Sequence, residues 1–431
     1  MYRKITDFLK VWKEGSHRKP LILQGARQVG KTYSILEFGR THYENVAYFN
    51  FETNPKLNKT FEENISPDYL VPILSHIAGQ TIVKEKTLIV FDEIQLCERA
   101  LTSLKYFCED APDYHIIVAG SLLGVAVNRA KFSFPVGKVD MKTLYPMDME
   151  EFLLAIGENV LVTQIKNCFK TNMPMPSALH DKALYLYRQY LVVGGMPECV
   201  SQFIQTKDYI LIRHTQDTIL ASYLNDMSKY NTLNEIKKTR LAYDNITVQL
   251  SKKNTRFQYK LIKKGGRASE FENAIEWLCL SGIVSQVYKV EQIKKPLENY
   301  RDIDAFKIYV SDLGLLCAKK DLAANDILYM VEELNDFKGG MVENYVNVQL
   351  SINGYNTYYW ESARGAEIDF VIQRDGKLIP IEVKAADNTK AKSLRVYMNT
   401  YNPAYAIKLS AKNFALEDNK KIVPLYAAFC I

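Results

Sequence analysis

The sequence lacks any apolar run near the roughly 20 residues needed to cross a bilayer. Residues 1–19 also lack the long apolar core and small-residue cleavage site of a signal peptide. The seven cysteines among 431 residues are scattered and never in CxxC spacing. Such cysteines indicate free thiols in a reducing compartment. We therefore expect a cytoplasmic protein without a membrane partner.

The sequence also lacks a strong charge of either sign. Its 55 Lys and Arg residues face 49 Asp and Glu residues, which gives a net charge of +6 and a pI near 8.6. This balance is compatible with an anionic partner but does not require one. The length and the hydrophobic content of 47% suffice for several cores, so we expect a multidomain chain.

A glycine-rich turn is the strongest single motif. The octapeptide from Gly25 to Thr32 has the form GxxxxGKT, follows the apolar residues 21–23 and precedes a helical pattern. Gly25 and Gly30 allow backbone N–H groups to point at a phosphate at a helix N-terminus. Lys31 would reach the β- and γ-phosphates, and the Thr32 hydroxyl would ligate Mg²⁺. The motif predicts binding of ATP and Mg²⁺.

A second, acidic motif follows the P-loop. Four apolar residues end in Asp92 and Glu93, and a further strand pattern ends before Ser121. Asp92 is placed to hold Mg²⁺ at the carboxyl end of a buried strand, and Glu93 to polarise the attacking water. Ser121 either contacts the γ-phosphate or caps the next helix. Alternating helix and strand patterns predict a parallel sheet with helices on both faces.

Residues 1–148 resemble an AAA-type ATPase core. The resemblance implies that Ser121 senses the γ-phosphate and that an arginine supplied from another copy of the chain assists hydrolysis. Arg129 and Lys138 lie in the region where that arginine is expected. Because Lys lacks the planar fork of Arg, we expect slow hydrolysis. A homo-oligomer is a candidate assembly.

Residues 149–232 have helical patterns that include a Gly-Gly-Met-Pro turn at 194–197. This turn and the stretch 144–152 resemble a family of prokaryotic AAA-like ATPases with appended C-terminal domains. The resemblance runs along nearly the whole chain, and it implies a helical lid over the nucleotide for 149–232.

Residues 233–315 show helices followed by a hairpin pattern, which predicts a winged helix. Between residues 252 and 267 seven basic residues occur without an acid, interleaved with Phe257 and Tyr259. Such a cluster is typical of nucleic-acid contact through phosphates and base stacking, or it is a solvated loop. The candidate DNA contacts are Lys252, Lys253, Arg256, Lys260, Lys263, Lys264 and Arg267.

Residues 316–431 contain a second constellation. Glu343 lies in a helical pattern, Asp369 in a strand pattern, and Glu382 and Lys384 in the next, after an Asp-Gly turn. Two carboxylates suit Mg²⁺, and an adjacent lysine can orient or deprotonate water. The pattern resembles the PD-(D/E)XK nuclease motif, which implies a restriction-endonuclease-like α/β domain with Glu343, Asp369 and Glu382 as metal ligands and Lys384 as a catalytic residue.

The sequence thus predicts an ATPase with a helical lid, a winged helix and a nuclease-like domain, in which ATP controls Mg²⁺-dependent cleavage of DNA. The alternative is a slow nucleotide-dependent switch or scaffold whose C-terminal domain binds a partner, of unknown identity, without cleaving. The complete set of acids in the nuclease-like motif favours the nuclease. The lysine at position 138, where an arginine is expected, favours the switch. A helicase is a third hypothesis, which no further motif supports.

Overall fold

The computed structural model describes residues 1–120, 124–125, 134–228, 232–252, 256–385 and 392–431. Its contacts divide the chain into two compact units. The N-terminal unit consists of residues 2–145 with 280–282, and the C-terminal unit consists of residues 146–279 with 283–431 and of Met1. The three segments predicted to follow residue 148 therefore fall together in the C-terminal unit.

The N-terminal unit is built on a five-stranded sheet in its described residues. The strand order is β2-β3-β4-β1-β5, and every neighbouring pair is parallel, as the alternating pattern predicts. The strands are β1 (Leu21–Gln24), β2 (Asn45–Asn50), β3 (Thr87–Asp92), β4 (His115–Ala119) and β5 (Asp140–Thr143). Because the strands run the same way, their carboxyl ends lie at one edge, where open α/β sheets bind ligands.

Helices pack on both faces of this sheet. They are α1 (Lys4–Glu14), α2 (Lys31–His42), α3 (Leu57–Glu63), α4 (Pro67–Ala78) and α5 (Glu98–Asp110). Gly39 of α2 packs closely on Val46 and Leu88. Ile89 and Phe91, which alternate to the opposite face, share a core with α3, α4 and α5. All six residues of β3 are buried, which explains their nearly continuous apolar pattern.

The C-terminal unit begins with helices that share a core with a later helix. Tyr345 of this later helix has its ring centroid 4.8 Å from that of Tyr187 and 5.9 Å from that of Tyr190. The Met149 N–H also donates to Gln349 Oε1 at 3.1 Å. The helices are α6 (Met149–Ala155), α7 (Asn159–Thr171), α8 (Ser177–Val193), α9 (Pro197–Thr206), α10 (Tyr209–Asp226), α11 (Leu233–Leu250), α12 (Tyr259–Ile262), α13 (Ala268–Leu280), α14 (Leu313–Lys319), α15 (Ala324–Tyr329), α16 (Asn335–Ile352) and α17 (Lys392–Tyr401). The lid role of 149–232 stays a prediction.

The described part of the C-terminal unit also contains an eight-stranded mixed sheet. Its order is β12-β13-β11-β10-β9-β8-β6-β7. The strands are β6 (Val284–Val290), β7 (Arg301–Val310), β8 (Tyr358–Glu361), β9 (Glu367–Arg374), β10 (Lys377–Val383), β11 (Ala406–Ser410), β12 (Ala415–Glu417) and β13 (Lys420–Pro424). The Asp-Gly turn joins β9 and β10 as an antiparallel hairpin.

The hairpin predicted for a winged helix is part of this same sheet. Strands β6 and β7 pair antiparallel, and β6 pairs in parallel with β8. The predicted boundary at residue 315 therefore falls inside α14, between strands that belong to one sheet. Buried Asp312 caps α14 and accepts a 2.6 Å hydrogen bond from the Gly195 N–H, so this region is packed core rather than a linker. The winged-helix assignment stays a prediction.

Candidate functional sites

The P-loop is closely packed at its first glycine. Gly25 has φ +146°, and a Cβ on it would lie 2.1 Å from the Leu144 carbonyl oxygen. Gln28 and Gly30 also have positive φ values, of 65° and 90°. Gly30 immediately precedes α2, so the loop wraps around a helix N-terminus whose partial positive charge favours a phosphate.

Lys31 and Thr32 project from the first turn of α2. The Lys31 ammonium donates to the Gly25 and Ala26 carbonyl oxygens at 2.9 and 2.8 Å, which places its charge inside the loop. The Thr32 hydroxyl donates to Asp92 Oδ2 at 2.8 Å across the end of the sheet. A hydroxyl and a carboxylate in contact at a helix N-terminus are the oxygen ligands that Mg²⁺ takes in P-loop proteins. These residues fit Mg²⁺ and a nucleotide.

Glu93 follows Asp92 in a strained backbone conformation. Its φ is 52°, in the left-handed region, and its N–H donates to Asp92 Oδ1 at 3.0 Å. The Gln95 side-chain amide donates to Glu93 Oε2. A non-glycine residue held there costs about 1–3 kcal/mol, and such strain clusters at functional sites. The geometry is compatible with the predicted role of Glu93.

Two further residues contact this site, and no pattern in the sequence predicted them. The Tyr48 hydroxyl on β2 donates to Asp92 Oδ2 at 2.8 Å. The Arg3 guanidinium is buried and donates to the Val29 carbonyl at 3.0 Å and to the Tyr145 carbonyl at 2.7 Å. Arg3 therefore braces the P-loop, although in sequence it is one basic residue among several near the start.

Some predicted residues cannot be placed or have other contacts. Ser121 and Lys253, and also Arg129, lie outside the described residues. Lys138 forms an ion pair with Glu109, with Nζ 2.8 Å from Oε1.

The predicted acids and lysine of the nuclease motif come together in the C-terminal unit. Asp369 on β9 accepts a 2.7 Å hydrogen bond from the Val383 N–H. Lys384 Nζ, just after β10, lies 2.9 Å from Glu382 Oε1. Glu382 is 1% exposed, and its Oε2 is buried without a hydrogen-bond partner. A buried carboxylate oxygen left in this way is unfavourable, so the pair Asp369 and Glu382 fits a divalent cation.

Burial and neighbouring charges perturb this cluster. Burial is the main cause that raises the pKa of Asp369 to about 7, and Glu343 raises it further, whereas Lys307 and Lys384 lower it. Burial alone would lower the pKa of Lys384, but Asp369 and Glu382 together raise it. Both lysines therefore favour charged carboxylates at this site.

Glu343 has other partners than the prediction gave it. Its Oε2 lies 3.3 Å from Lys307 Nζ and accepts a 3.0 Å hydrogen bond from the Tyr309 hydroxyl. Lys307 Nζ also lies 2.5 Å from Glu367 Oε1. No group of three or more His, Cys, Asp or Glu residues in the described ranges is placed to hold a metal ion. Glu343 is thus paired with a lysine, although it lies close enough to Asp369 to raise the pKa of that carboxyl group, and its role as a metal ligand stays a prediction.

The basic segment, defined as residues 256–267, runs beside the strand that carries Lys307. The Phe257 N–H donates to the Phe306 carbonyl at 2.8 Å, and Arg256 forms a β-bridge with Lys307. Lys263 Nζ lies 3.3 Å from Glu270 Oε1. The candidate basic residues that the structure describes, in this segment and just before it, are exposed: Lys252, Arg256, Lys260, Lys263, Lys264 and Arg267. Contact with DNA stays a prediction.

The aromatic residues of this segment pack on each other and on Phe306. Phe257 is 6% exposed and stacks on Phe306, with ring centroids 5.5 Å apart. Tyr259 packs edge-on against both rings. Base stacking was part of the nucleic-acid interpretation, and it does not apply to Phe257 because its ring is core.

The cluster also includes residues that the sequence analysis did not select. Lys307 and Tyr309 alternate on β7 and Glu367 precedes Asp369 by two on β9, so each pair shares a strand face. Its spacing of two residues from Asp369 in a strand pattern was the one feature of the sequence that could have identified Glu367. Lys307 lies in the apolar pattern Phe-Lys-Ile-Tyr-Val, which indicates only a strand.

Comparisons of the sequence with family models match three successive parts of the chain. Residues 17–153 match an AAA domain. Residues 184–326 and 338–428 match two domains of unknown function, DUF8612 and DUF4143. A search among curated proteins found no match.

Several solved structures are similar to the chain. The Walker-type ATPase paby2304 of Pyrococcus abyssi is 14% identical, with a TM-score of 0.44, over 73% of this chain and 94% of that chain. The Aeropyrum pernix ORC1 protein, in complex with DNA, is 13% identical, with a TM-score of 0.27, over 74% and 91%. The Aeropyrum pernix ORC2 protein, in ADPNP–ADP complexes, is 9% identical, with a TM-score of 0.32, over 75% and 91%.

The matched AAA domain coincides with the parallel sheet, the P-loop and the acidic pair. The N-terminal unit is therefore an AAA-like P-loop ATPase domain, and nucleotide binding is its expected property. No helix in the described part of the chain is long and apolar enough to span a membrane.

Proposed function

We propose that the chain is a slow, Mg²⁺-dependent ATPase whose C-terminal unit cleaves DNA phosphodiester bonds under the control of ATP. The observation that supports the nuclease is the buried Glu382 oxygen without a hydrogen-bond partner, beside Asp369 and Lys384. Exposed basic residues beside β7 supply a surface for the DNA backbone.

In the ATPase, each residue of the N-terminal site has a distinct part. The P-loop N–H groups and Lys31 bind the phosphates, while Thr32 and Asp92 are the residues that would hold Mg²⁺. Bound Mg²⁺ neutralises charge on the phosphates. Glu93 orients the attacking water and accepts its proton. Lys138, paired with Glu109, is a weak substitute for an arginine, so the rate should be slow.

In the nuclease, Asp369 and Glu382 would hold the divalent cation, which supplies Lewis-acid activation when bound. Lys384 holds the attacking water by a hydrogen bond and stabilises negative charge that develops on the phosphate. The exposed basic residues bind flanking phosphates without reading sequence.

The ATPase is tested by steady-state hydrolysis and nucleotide binding. Glu93→Gln should keep ATP binding and lower kcat by about 10²- to 10⁴-fold, because it removes a general base. Lys31→Ala should lose binding itself. Glu98→Gln changes an exposed acid on α5 and serves as the control. A Glu93→Gln variant with the parent kcat would refute the role of Glu93.

The nuclease is tested with single-stranded, duplex and branched DNA, with Mg²⁺ or Mn²⁺ and with or without ATP. Glu382→Gln and Lys384→Ala should abolish cleavage. Glu361→Gln, in a partly exposed ion pair on β8, should not. Loss of Mn²⁺ binding in Glu382→Gln provides a readout that does not depend on turnover.

The second candidate function is a nucleotide-dependent switch or scaffold that binds a partner through the C-terminal unit without cleaving. The pairing of Glu343 with Lys307 favours it, because this acid already has a cation. ATP hydrolysis without cleavage of any DNA substrate, and without Mn²⁺ binding at Glu382, would establish this candidate over the nuclease.

A further inference from the structure

Lys307 is the most deeply buried cation of the C-terminal cluster, which consists of Lys307, Glu343, Glu367, Asp369, Glu382 and Lys384. Its side chain is 2% exposed, and Nζ lies 2.5 Å from Glu367 Oε1 and 3.3 Å from Glu343 Oε2. A lysine charge is almost never buried unless it is paired, since removing the charge from water is unfavourable. Burial is the largest influence on the Lys307 pKa and lowers it, yet the neighbouring carboxylates led by Glu343 raise it well above its usual value.

The surroundings of Lys307 fix its position. The Tyr309 hydroxyl, two residues along β7, donates to the same Glu343 oxygen at 3.0 Å. The Tyr359 ring centroid lies 5.1 Å from Lys307 Nζ, within range of a cation–π interaction. The ammonium is therefore held between an acid from helix α16 and an acid from strand β9.

The charges of the cluster divide into two groups. Glu343 and Glu367 contact Lys307, whereas Glu382 contacts Lys384 and keeps a buried oxygen without a partner beside Asp369. When all four carboxylates are ionised, as binding of a cation requires, they and the two ammonium groups have a formal charge of −2, which one divalent cation would balance. A site with two metal ions about 3.5–4 Å apart needs carboxylate ligands beyond Asp369 and Glu382. The acids nearby that could serve, Glu343 and Glu367, already contact Lys307.

We propose that Lys307 is a built-in cation that takes the place of a second metal ion, so that the C-terminal unit binds a single divalent cation at Asp369 and Glu382. This inference rests on the proposed metal site. Removal of the Lys307 charge leaves Glu343 and Glu367 near Asp369 without their cation. The cluster then has the carboxylates and the charge to bind a second divalent ion.

The experiment counts Mn²⁺ ions bound per chain, by calorimetry and by electron paramagnetic resonance, without nucleotide. All proteins carry Asp92→Asn, which removes the carboxylate that would hold a metal ion in the N-terminal unit. The parent should bind one ion and Lys307→Met two. Lys289→Met is the control and should bind one ion. It removes a partly exposed lysine of β6 whose Nζ lies 3.9 Å from Glu361 Oε2.

Two further variants keep the test decisive. Lys307→Gln keeps a polar side chain of intermediate length and should also bind two ions, which covers a failure of Lys307→Met to fold. Lys307→Met combined with Glu343→Gln removes both charges and should return the count to one. One ion in each folded Lys307 single variant overturns the proposal.

The counts separate this inference from the proposed function. A parent that binds one ion, lost in Glu382→Gln, together with one ion in the Lys307 variants, refutes only the role of Lys307. A parent whose Mn²⁺ binding is absent, or unchanged in Glu382→Gln, refutes the metal site and the inference with it.

Discussion

At the scale of single residues, Gly25 shows how a backbone position limits the choice of side chain. Its φ of +146° is unfavourable for any residue with a Cβ, and the added atom would lie 2.1 Å from the Leu144 carbonyl oxygen. Backbone atoms of a buried strand connection cannot move aside cheaply. The P-loop conformation therefore requires glycine here for two independent reasons.

We predict that Gly25→Ala abolishes ATP binding and destabilises the N-terminal unit, because the loop must shift away from Leu144. Gly79→Ala is the matched control, since Gly79 has φ +66° at the end of α4 but a Cβ added there would meet no atom within 4 Å. The control should lose about 1 kcal/mol and keep ATP affinity. Equilibrium binding of a fluorescent ATP analogue and thermal unfolding measure both effects. Equal affinities in the two variants would contradict the prediction.

At the scale of elements, Asp312 joins two segments far apart in sequence. Its Oδ1 accepts from the Leu315 N–H at 2.8 Å as the N-cap of α14, and its Oδ2 accepts from the Gly195 N–H at 2.6 Å. Burial raises the pKa of Asp312 to about 6, although backbone donors oppose this. The Gly-Gly turn between α8 and α9 is thus fixed to the start of α14.

We predict that Asp312 makes stability fall as pH rises. Its pKa is higher in the folded chain than the usual 3.8, so the folded state binds the proton more tightly. The contribution is full below about pH 4, and at most about 3 kcal/mol is lost as pH rises through about 6. Urea unfolding of the parent and Asp312→Asn at several pH values tests this. The stability difference between them should narrow with rising pH, and a constant difference would exclude the effect.

The basic segment is a second feature at the element scale. Lys260 and Lys264 are exposed beside the strand that carries Lys307, whereas Phe257 is buried against Phe306. Binding of DNA here would depend on charge rather than on stacking. Affinity should therefore be strongly dependent on salt.

We predict that Lys260→Gln with Lys264→Gln weakens duplex DNA binding for all sequences alike. If each lysine neutralises one phosphate, the negative slope of log affinity against log salt concentration should become shallower by about 2. Lys207→Gln with Lys412→Gln, a pair of exposed lysines elsewhere in the same unit, is the control. Fluorescence anisotropy at several salt concentrations gives both slopes. An unchanged slope in the first pair would exclude this segment from the DNA contact.

Sequence patterns identified elements and contiguous motifs better than long-range packing. The P-loop, Asp92 and the β9–β10 hairpin could be predicted because their residues are near in sequence or end neighbouring strands. Lys307 could not, because its apolar flanks indicate a strand without showing that the strand lies beside α16. For the same reason the pattern could not show that β6 and β7 continue the C-terminal sheet.

At the scale of the whole molecule, the candidate nucleotide site and the carboxylate–lysine cluster lie in separate compact units. Helices α6 and α8 contact α16, the helix that carries Glu343. A change in the position of these helices would therefore act on an element of the second site. Control by ATP is the proposal that joins the two units.

We predict that Glu93→Gln, which binds ATP without hydrolysing it, shows a sustained change in DNA cleavage on addition of ATP, whereas the parent shows a change that decays as ATP is consumed. Lys31→Ala should cleave at the same rate with and without ATP, because it does not bind the nucleotide.

Cleavage time courses without nucleotide, with ATP and with a non-hydrolysable analogue distinguish these cases, and Glu98→Gln is again the control. Identical time courses with and without ATP in the parent would show that the two sites act independently. The nuclease proposal would then stand on the C-terminal unit alone, and its regulation would have to come from another ligand.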